Sequence, residues 1–172
     1  MTGANMSGKS TFLRIVGVNL VLAGSGAPVC AKSLKLTPVS IISSMSTTDN
    51  LAENLSYFHA ELLRLKDIME KAKKNEKAII ILDETMKGTY SKDKHTGTKL
   101  FLEKLLSYNV SVIIATHNLE LTILEKEKPR NFTNICFEVE IAGDNIHFDY
   151  KIKNGITQNQ NATFLLKKTE VI

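Results

Sequence analysis

The 172-residue sequence contains only two cysteines and three prolines. Cys30 and Cys136 lie far apart and outside any CxxC or Cys/His spacing, so no zinc motif is recognisable and a disulfide framework is not supported. Both have apolar neighbours, and we expect two buried, free thiols. The chain also lacks internal repeats and Pro/Gly-rich linkers, and its length suits one domain with its own core.

Long apolar runs are absent as well. No stretch approaches the roughly 18 consecutive apolar residues of a membrane-spanning helix, and no signal-peptide pattern precedes the first motif. We therefore expect no membrane partner and a cytoplasmic location. The net charge of +4 permits contact with a polyanion but does not argue for it, since four surplus charges can be spread over a solvated surface.

Hydrophobic periodicity predicts an α/β fold with a mixed, mainly parallel sheet flanked by helices. Strands are predicted at 39–45, 78–82 and 110–115, the last two as apolar runs buried on both faces. Helices are predicted at 9–23, 51–73, 96–107 and 119–126. The regular apolar stripe of the second helix comprises Leu51, Leu55, Phe58, Leu62, Leu65, Met69 and Ala72. Alternating residues at 135–141 and 146–152 predict a terminal antiparallel hairpin at the sheet edge.

The first motif is GANMSGKS at residues 3–10, which fits the phosphate-binding pattern G-x-x-x-x-G-K-[ST]. In such a loop, backbone N–H groups and the start of the following helix converge on the phosphates. Lys9 would neutralise the β- and γ-phosphates, and the Ser10 hydroxyl would ligate Mg²⁺. The alternative is an ordinary Gly/Ser turn, but the helix predicted from residue 9 favours a nucleotide site.

Two adjacent carboxylates, Asp83 and Glu84, end the apolar run at 78–82. Ligands of parallel α/β sheets bind beyond the carboxyl ends of the strands, where these side chains emerge. Asp83 is suited to hold the hydration shell of Mg²⁺, and Glu84 to orient and polarise an attacking water. Alone, the pair could equally be the acidic N-terminus of the next helix. Behind a phosphate-binding loop, the catalytic interpretation is favoured.

The pair Thr116–His117 follows the next predicted strand directly. A histidine at this position can contact the γ-phosphate and hold the nucleophilic water, whereas His59, His95 and His147 lack such a context. The absence of an NKxD motif argues against a GTPase. The three arginines are not clustered as in the lid of a small-molecule kinase, so a hydrolytic ATPase is the favoured reading.

Five segments resemble the ATPase domain of the MutS DNA mismatch-repair family, the last being the terminal hairpin and its lead-out, FEVEI to IHFDYKIKNGIT. TGANMSGKSTFLR is similar to the family's TGPNMxGKSTxLR, including Asn5 and Met6, which a generic phosphate loop does not require. LDETMKGT and ATHNLEL resemble LDEIGRGT and ATHYxEL. The segment 49–62 resembles the pattern D-D-L-x-x-G-x-S-T-F-M-x-E-M. Its matches are Asp49, Leu51, Ser56, Phe58 and Glu61.

This resemblance, from residue 2 to about residue 157, implies an ABC-type P-loop ATPase with ATP and Mg²⁺. The residues that it assigns to ATP are Gly3, Asn5, Met6, Ser7, Gly8, Lys9, Ser10, Thr11 and Ser56. It assigns the metal to Ser10 and Asp83. It further implies that Glu84 is the catalytic base and His117 the switch histidine. The family acts as a homodimer or pseudo-symmetric dimer with composite sites, in which Ser56 would reach the γ-phosphate across the interface. DNA would be bound by domains outside this chain.

Several positions depart from the family pattern and indicate a divergent branch. Asn54 replaces the signature glycine, Ser44 stands at the usual arginine position, and the loop after Gly88 is about three residues longer. We interpret residues 1–172 as a fragment, because only Met1 and Thr2 precede the loop, and little follows residue 168 that could form a helix-turn-helix dimerisation element. A central strand would then come from outside the chain, and the chain alone should be poorly stable and bind ATP weakly.

Two other functions remain open. One is an ABC-type ATPase of another DNA or transport machine, which would carry an LSGGQ signature and a Q-loop, neither of which is visible. The other is a non-hydrolysing, nucleotide-dependent dimerisation module. Retention of Lys9, Asp83, Glu84 and His117 argues against the second.

Overall fold

The computed structural model describes residues 1–45, 57–74, 77–86, 90–142 and 145–158. The strands in chain order are β1 (Thr2–Gly3), β2 (Ser40–Met45), β3 (Ala78–Asp83), β4 (Val110–Ala115), β5 (Ile135–Ala142) and β6 (Asn145–Asn154). The helices are α1 (Lys9–Gly24), α2 (Tyr57–Lys74), α3 (Ser91–Leu105) and α4 (Ile123–Glu127), with a 3₁₀ turn at Leu119–Thr122. The chain divides into two compact units, one with Met1–Thr11 and the chain from Ala115 onward, the other with Phe12–Ile114.

In the unit Phe12–Ile114, a three-stranded sheet has the order β2-β3-β4. β2 and β3 are parallel and in register from Ser40 opposite Ala78 to Met45 opposite Asp83. Three consecutive residues of β3, Ile80, Ile81 and Leu82, are completely buried. The predicted buried strand is therefore confirmed here. β4 also forms where predicted, but of its six residues Ala115 alone is fully buried.

Helix α2 buries a different face from the one predicted. The buried positions are Glu61, Leu65, Ile68 and Ala72, whereas Leu62 of the predicted stripe is 41% exposed. The two stripes share Leu65 and Ala72, so periodicity alone could not separate them. Glu61 can occupy a core-facing position because its carboxylate accepts a hydrogen bond from the backbone N–H of Met86. The residues of the stripe at 51–56 lie outside the described part.

Helix α3 begins at Ser91, five residues before the predicted start. Its first turns read SKDKH, which carry no apolar periodicity, so the pattern could not indicate a helix there. The N-cap residue Tyr90 makes no side-chain capping hydrogen bond. The later turns bury Thr98, Leu102 and Leu105.

The other unit contains a three-stranded sheet of order β1-β5-β6. The predicted hairpin is confirmed, since β5 and β6 pair antiparallel. β1 has two residues and pairs parallel to β5, with Thr2 opposite Cys136 and Gly3 opposite Phe137. The predicted α/β class is therefore confirmed, but the described strands form two sheets rather than one. The sheet of β1, β5 and β6 is the mixed one.

A hydrogen-bond cluster around Asn134 attaches α4 to the start of β5. The Asn134 side-chain amide donates to Glu125 Oε2 at 2.8 Å and to the Thr122 carbonyl at 2.9 Å. The Asn134 carbonyl accepts from Gly155 N at 2.9 Å, just beyond β6. This cluster fixes the chain on both sides of the hairpin.

The two cysteines have different surroundings. Cys136 on β5 is buried and free, as predicted, but Cys30 is exposed, so the expectation of two buried thiols is wrong. Cys30 lies in a bend after α1, and its backbone N–H donates to Asn19 Oδ1 at 2.6 Å. No helix in the described ranges is both long and apolar enough to cross a membrane.

Candidate nucleotide-binding site

The loop between β1 and α1 has the backbone of an anion-binding turn. Met6 and Gly8 both have positive φ, 64° and 100°. Alternating backbone conformations of this kind make successive N–H groups converge on one concave surface. The loop closes tightly on its base, since a Cβ on Gly3 would lie 2.7 Å from Ser7 Oγ and 3.0 Å from the Phe137 carbonyl oxygen. Glycine at position 3 is therefore a steric requirement.

Lys9, the first residue of α1, folds its side chain back over this loop. Its ammonium group donates to the Gly3 carbonyl at 2.7 Å and the Ala4 carbonyl at 2.8 Å, and the residue is buried. The Ser7 hydroxyl is also buried, at 2% exposure of the residue, and it has no hydrogen-bond partner among the described residues. A buried cation and an unsatisfied buried hydroxyl in a loop of this shape fit a bound phosphate.

The remaining predicted loop residues lie at the surface. Asn5 and Met6 are exposed, Met6 at 71%, while Ser10 is half-buried and Thr11 exposed in the first turn of α1. That first turn contains no acidic residue, so no carboxylate offsets the positive end of the helix dipole. Residues 3–11 therefore form one continuous segment, from the loop into the first turn of α1, that is a candidate site for an anion.

An aromatic residue that the sequence analysis did not select lies against this loop. A Cβ on Gly8 would lie 3.1 Å from Cδ1 of Tyr150, in β6. The Tyr150 ring stacks on Phe148, with centroids 5.9 Å apart, yet the residue is 63% exposed and has a φ of 53°. In the sequence, Tyr150 is one of several apolar residues alternating along a strand, and no local signal marks it.

His117 lies two residues beyond Ala115, the last residue of β4. The preceding residue, Thr116, is buried, and its N–H donates to the Met1 carbonyl at 3.0 Å, next to β1. The Thr116 hydroxyl accepts from Asn118 N at 3.0 Å, which shapes the turn. His117 itself is exposed. It belongs to the same compact unit as the loop at residues 3–11, here called the phosphate-type loop.

The predicted carboxylates lie at the end of β3 in the other unit. Asp83 is the last residue of the strand, and Glu84 leaves it with a positive φ of 56°. Both are half-buried. The Lys94 ammonium of α3 lies 3.4 Å from Glu84 Oε1, with both side chains 21% exposed. The strand end therefore presents Glu84 beside a cation.

Two further contacts fix the residues after Glu84. The hydroxyls of Thr85 and Thr98 are hydrogen-bonded at 3.0 Å, and both residues are buried. The next residue, Met86, donates its backbone N–H to Glu61 Oε1 of α2. Glu61 matched the family pattern in the sequence but had no role there, because nothing local links positions 61 and 86.

The sequence pattern of MutS domain V matches residues 1–168. The chain belongs to the MutS family. It is 37% identical to the DNA mismatch repair protein MutS of Thermotoga neapolitana over 158 residues, which are 91% of this chain and 19% of that protein. It is 34% identical to the MutS of Persephonella marina over 97% of this chain and 19% of that protein. It is 32% identical to human MutS protein homolog 4 over 99% of this chain and 18% of that protein. The chain thus spans about a fifth of the length of these relatives.

In the segment 49–62, four of the positions that the MutS resemblance marked fall outside the described residues. They are Asp49, Leu51, Asn54, which replaces the signature glycine, and Ser56, the predicted signature-type serine. Of the longer loop predicted after Gly88, Thr89 also lies outside them, whereas its residues from Ser91 onward form the first turns of α3 rather than a loop. Ser44 is described, on β2 opposite Leu82 of β3.

Proposed function

We propose that this chain binds ATP and Mg²⁺ and hydrolyses the γ-phosphate bond. The observation that carries the proposal is the loop at residues 3–11, with its two positive-φ residues, its enclosed Lys9 ammonium and its unsatisfied Ser7 hydroxyl. These are features of a concave surface that accepts phosphate oxygens. Membership of the MutS family supports ATP as the nucleotide.

On the phosphate side, Lys9 exchanges its bonds to the loop carbonyls for phosphate oxygens, and the loop N–H groups add further donors. Charge-assisted hydrogen bonds of this kind are about twice as strong as neutral ones. The exposed ring of Tyr150, beside Gly8, offers a flat apolar face on which a nucleotide base can stack. His117 contacts the γ-phosphate in this proposal.

On the carboxylate side, Glu84 accepts a proton from the attacking water as the water oxygen bonds to the γ-phosphorus. The bond from that phosphorus to the β–γ bridging oxygen breaks, and ADP leaves with the oxygen. Ser10 and Asp83 are the residues that would hold Mg²⁺, which binds few protein ligands and keeps several waters. When bound, Mg²⁺ neutralises the charge that develops on the phosphate oxygens.

For the longer protein, we propose a role in processing DNA. The bacterial relatives are named DNA mismatch repair proteins, whereas the human relative is named MutS protein homolog 4. DNA is bound by other domains in this proposal, and the ATPase acts in the cytoplasm as a homodimer or pseudo-symmetric dimer. In this proposal, Ser56 contacts the γ-phosphate of the nucleotide bound to the partner subunit. ATP binding shifts the population toward a closed dimer, and hydrolysis reverses the shift.

Nucleotide binding by Lys9 is the first testable consequence. Lys9→Ala removes a cation whose hydrogen bonds to phosphate are each worth about 1.5–3 kcal/mol, so the Kd for ATP should rise about tenfold to a hundredfold. Lys35→Ala removes an exposed lysine and serves as the control. Calorimetric titration with ATP and Mg²⁺ measures both. Equal affinities in Lys9→Ala and Lys35→Ala would refute the phosphate site.

A further inference from the structure

The three residues that follow β3 have an unusual backbone. Glu84 and Met86 both have positive φ, 56° and 58°, although neither is glycine. A side chain in this region crowds its own backbone, and the conformation persists only where the surroundings enforce it. The segment 84–86 therefore needs external contacts, and its neighbours in α2 and α3 provide them.

Helix α3 restrains this segment from one side. Lys94 lies 3.4 Å from Glu84 Oε1, and Thr98 is hydrogen-bonded to Thr85 at 3.0 Å. Between them, Gly97 leaves room for Met86, since a Cβ on Gly97 would lie 2.6 Å from Met86 Sδ and 2.7 Å from its Cε. These contacts hold side chains of the segment, but they do not hold its peptide groups.

Helix α2 restrains the backbone itself through Glu61. Its Oε1 accepts the hydrogen bond of the Met86 N–H, and the residue is only 6% exposed. Its Oε2 is buried without a hydrogen-bond partner in the part of the chain that the structure describes. A buried carboxylate is costly, so its placement here calls for a reason beyond packing. The buried neighbours Leu65 and Ile68 fix the helix turn that carries it.

We propose that Glu61 is a positioning residue for Glu84. This inference rests on the proposed function, in which Glu84 accepts the proton of the attacking water. By anchoring the N–H of Met86, Glu61 sets the backbone direction of a segment that starts at Glu84, and thereby the angle at which the carboxylate of Glu84 meets the water. Its contribution lies in hydrolysis, because the backbone group that it holds belongs to the segment of the proposed base.

Three substitutions separate positioning from charge. Glu61→Gln keeps an acceptor for Met86 N and loses the charge, whereas Glu61→Asp keeps the charge but is one methylene too short. Glu61→Ala loses both. We expect kcat for ATP hydrolysis to stay within about threefold of wild type in Glu61→Gln and to fall about tenfold to a hundredfold in the other two, because small misplacements of a catalytic group cost rates of that order. KM for ATP should change less than about twofold in all three.

Two controls complete the experiment. Glu70→Ala removes an exposed glutamate from the same helix and should leave kcat unchanged. Amide hydrogen exchange at Met86 tests the contact without any turnover, and it should accelerate in Glu61→Asp and Glu61→Ala but not in Glu61→Gln or Glu70→Ala. A urea midpoint for each variant shows which ones fold.

The outcomes are distinct. Wild-type kcat in Glu61→Asp, or equal loss in Glu61→Gln and Glu61→Asp, would overturn the positioning role. A loss of kcat/KM that comes entirely from a higher KM, with kcat unchanged, would also overturn it. If the wild-type protein hydrolyses no ATP, the proposed function fails and the role of Glu61 fails with it. Unchanged exchange at Met86 in Glu61→Ala would overturn the hydrogen bond and with it the positioning role, while leaving the proposed ATP hydrolysis intact.

Discussion

At the scale of single residues, backbone strain is concentrated in or against two segments, one in each compact unit. The non-glycine residues with positive φ in the described ranges are Met6, Glu84, Met86 and Tyr150. Met6 lies in the phosphate-type loop, Tyr150 packs against that loop, and the other two follow the strand of the carboxylates. Such conformations cost about 1–3 kcal/mol each and cluster at functional sites. The strained residues therefore lie in or against the same two segments that the sequence motifs indicate.

Gly8 provides a direct test of the loop at this scale. Gly8→Ala places a methyl group 3.1 Å from the Tyr150 ring on a backbone with a φ of 100°. We expect the free energy of unfolding to fall by about 1–3 kcal/mol. Gly24→Ala is the control, because a Cβ there meets nothing within 4 Å. Urea denaturation measures both, and equal stabilities would contradict the described loop.

The cysteines provide a second residue-scale prediction. Burial, followed by the neighbouring charge of Glu138, raises the pKa of the Cys136 thiol, so less thiolate forms at neutral pH. Cys30 is exposed. In the native protein at pH 7.5, iodoacetamide should modify Cys30 at least about tenfold faster than Cys136. Peptide mass spectrometry over time measures the two rates, which should converge in denaturant. Similar native rates would refute the burial of Cys136.

At the scale of elements, local patterns predicted what depends on neighbours in sequence. The apolar run of β3, the start of α1 at Lys9 and the hairpin of β5 and β6 all formed as expected. The buried face of α2 was missed because it includes Glu61, which is bound to a backbone group 25 residues away. The division into two sheets depends on long-range pairing such as that of Thr2 with Cys136, which periodicity does not encode.

The face of α2 can be tested by comparing two of its aliphatic residues. Ile68 is 1% exposed, whereas Leu62, which belonged to the predicted stripe, is 41% exposed. Ile68→Ala should lower the free energy of unfolding by about 2–5 kcal/mol through lost contacts and a cavity. Leu62→Ala should cost less than about 1 kcal/mol. Equal losses in urea denaturation would support the predicted stripe instead.

At the scale of the whole molecule, family membership follows from residues 1–168, whereas the proposed function involves residues that are distant in sequence. Lys9, Asp83, Glu84 and His117 could be selected from sequence because each lies within a short motif next to a strand or helix end. Tyr150 and Glu61 could not be assigned roles, because their partners Gly8 and Met86 are 142 and 25 positions away. Motifs therefore indicate the proposed chemistry, and the structure adds residues that contact the same segments.

The most direct test of the central claim is steady-state ATP hydrolysis by the wild-type protein and Glu84→Gln. The substitution preserves the size of the side chain but removes its capacity to accept a proton. We predict Mg²⁺-dependent turnover in the wild type, a fall in kcat of at least about a hundredfold in Glu84→Gln, and a Kd for ATP within about threefold of wild type. Absence of turnover in the wild type, or equal kcat in the two proteins, would contradict the account.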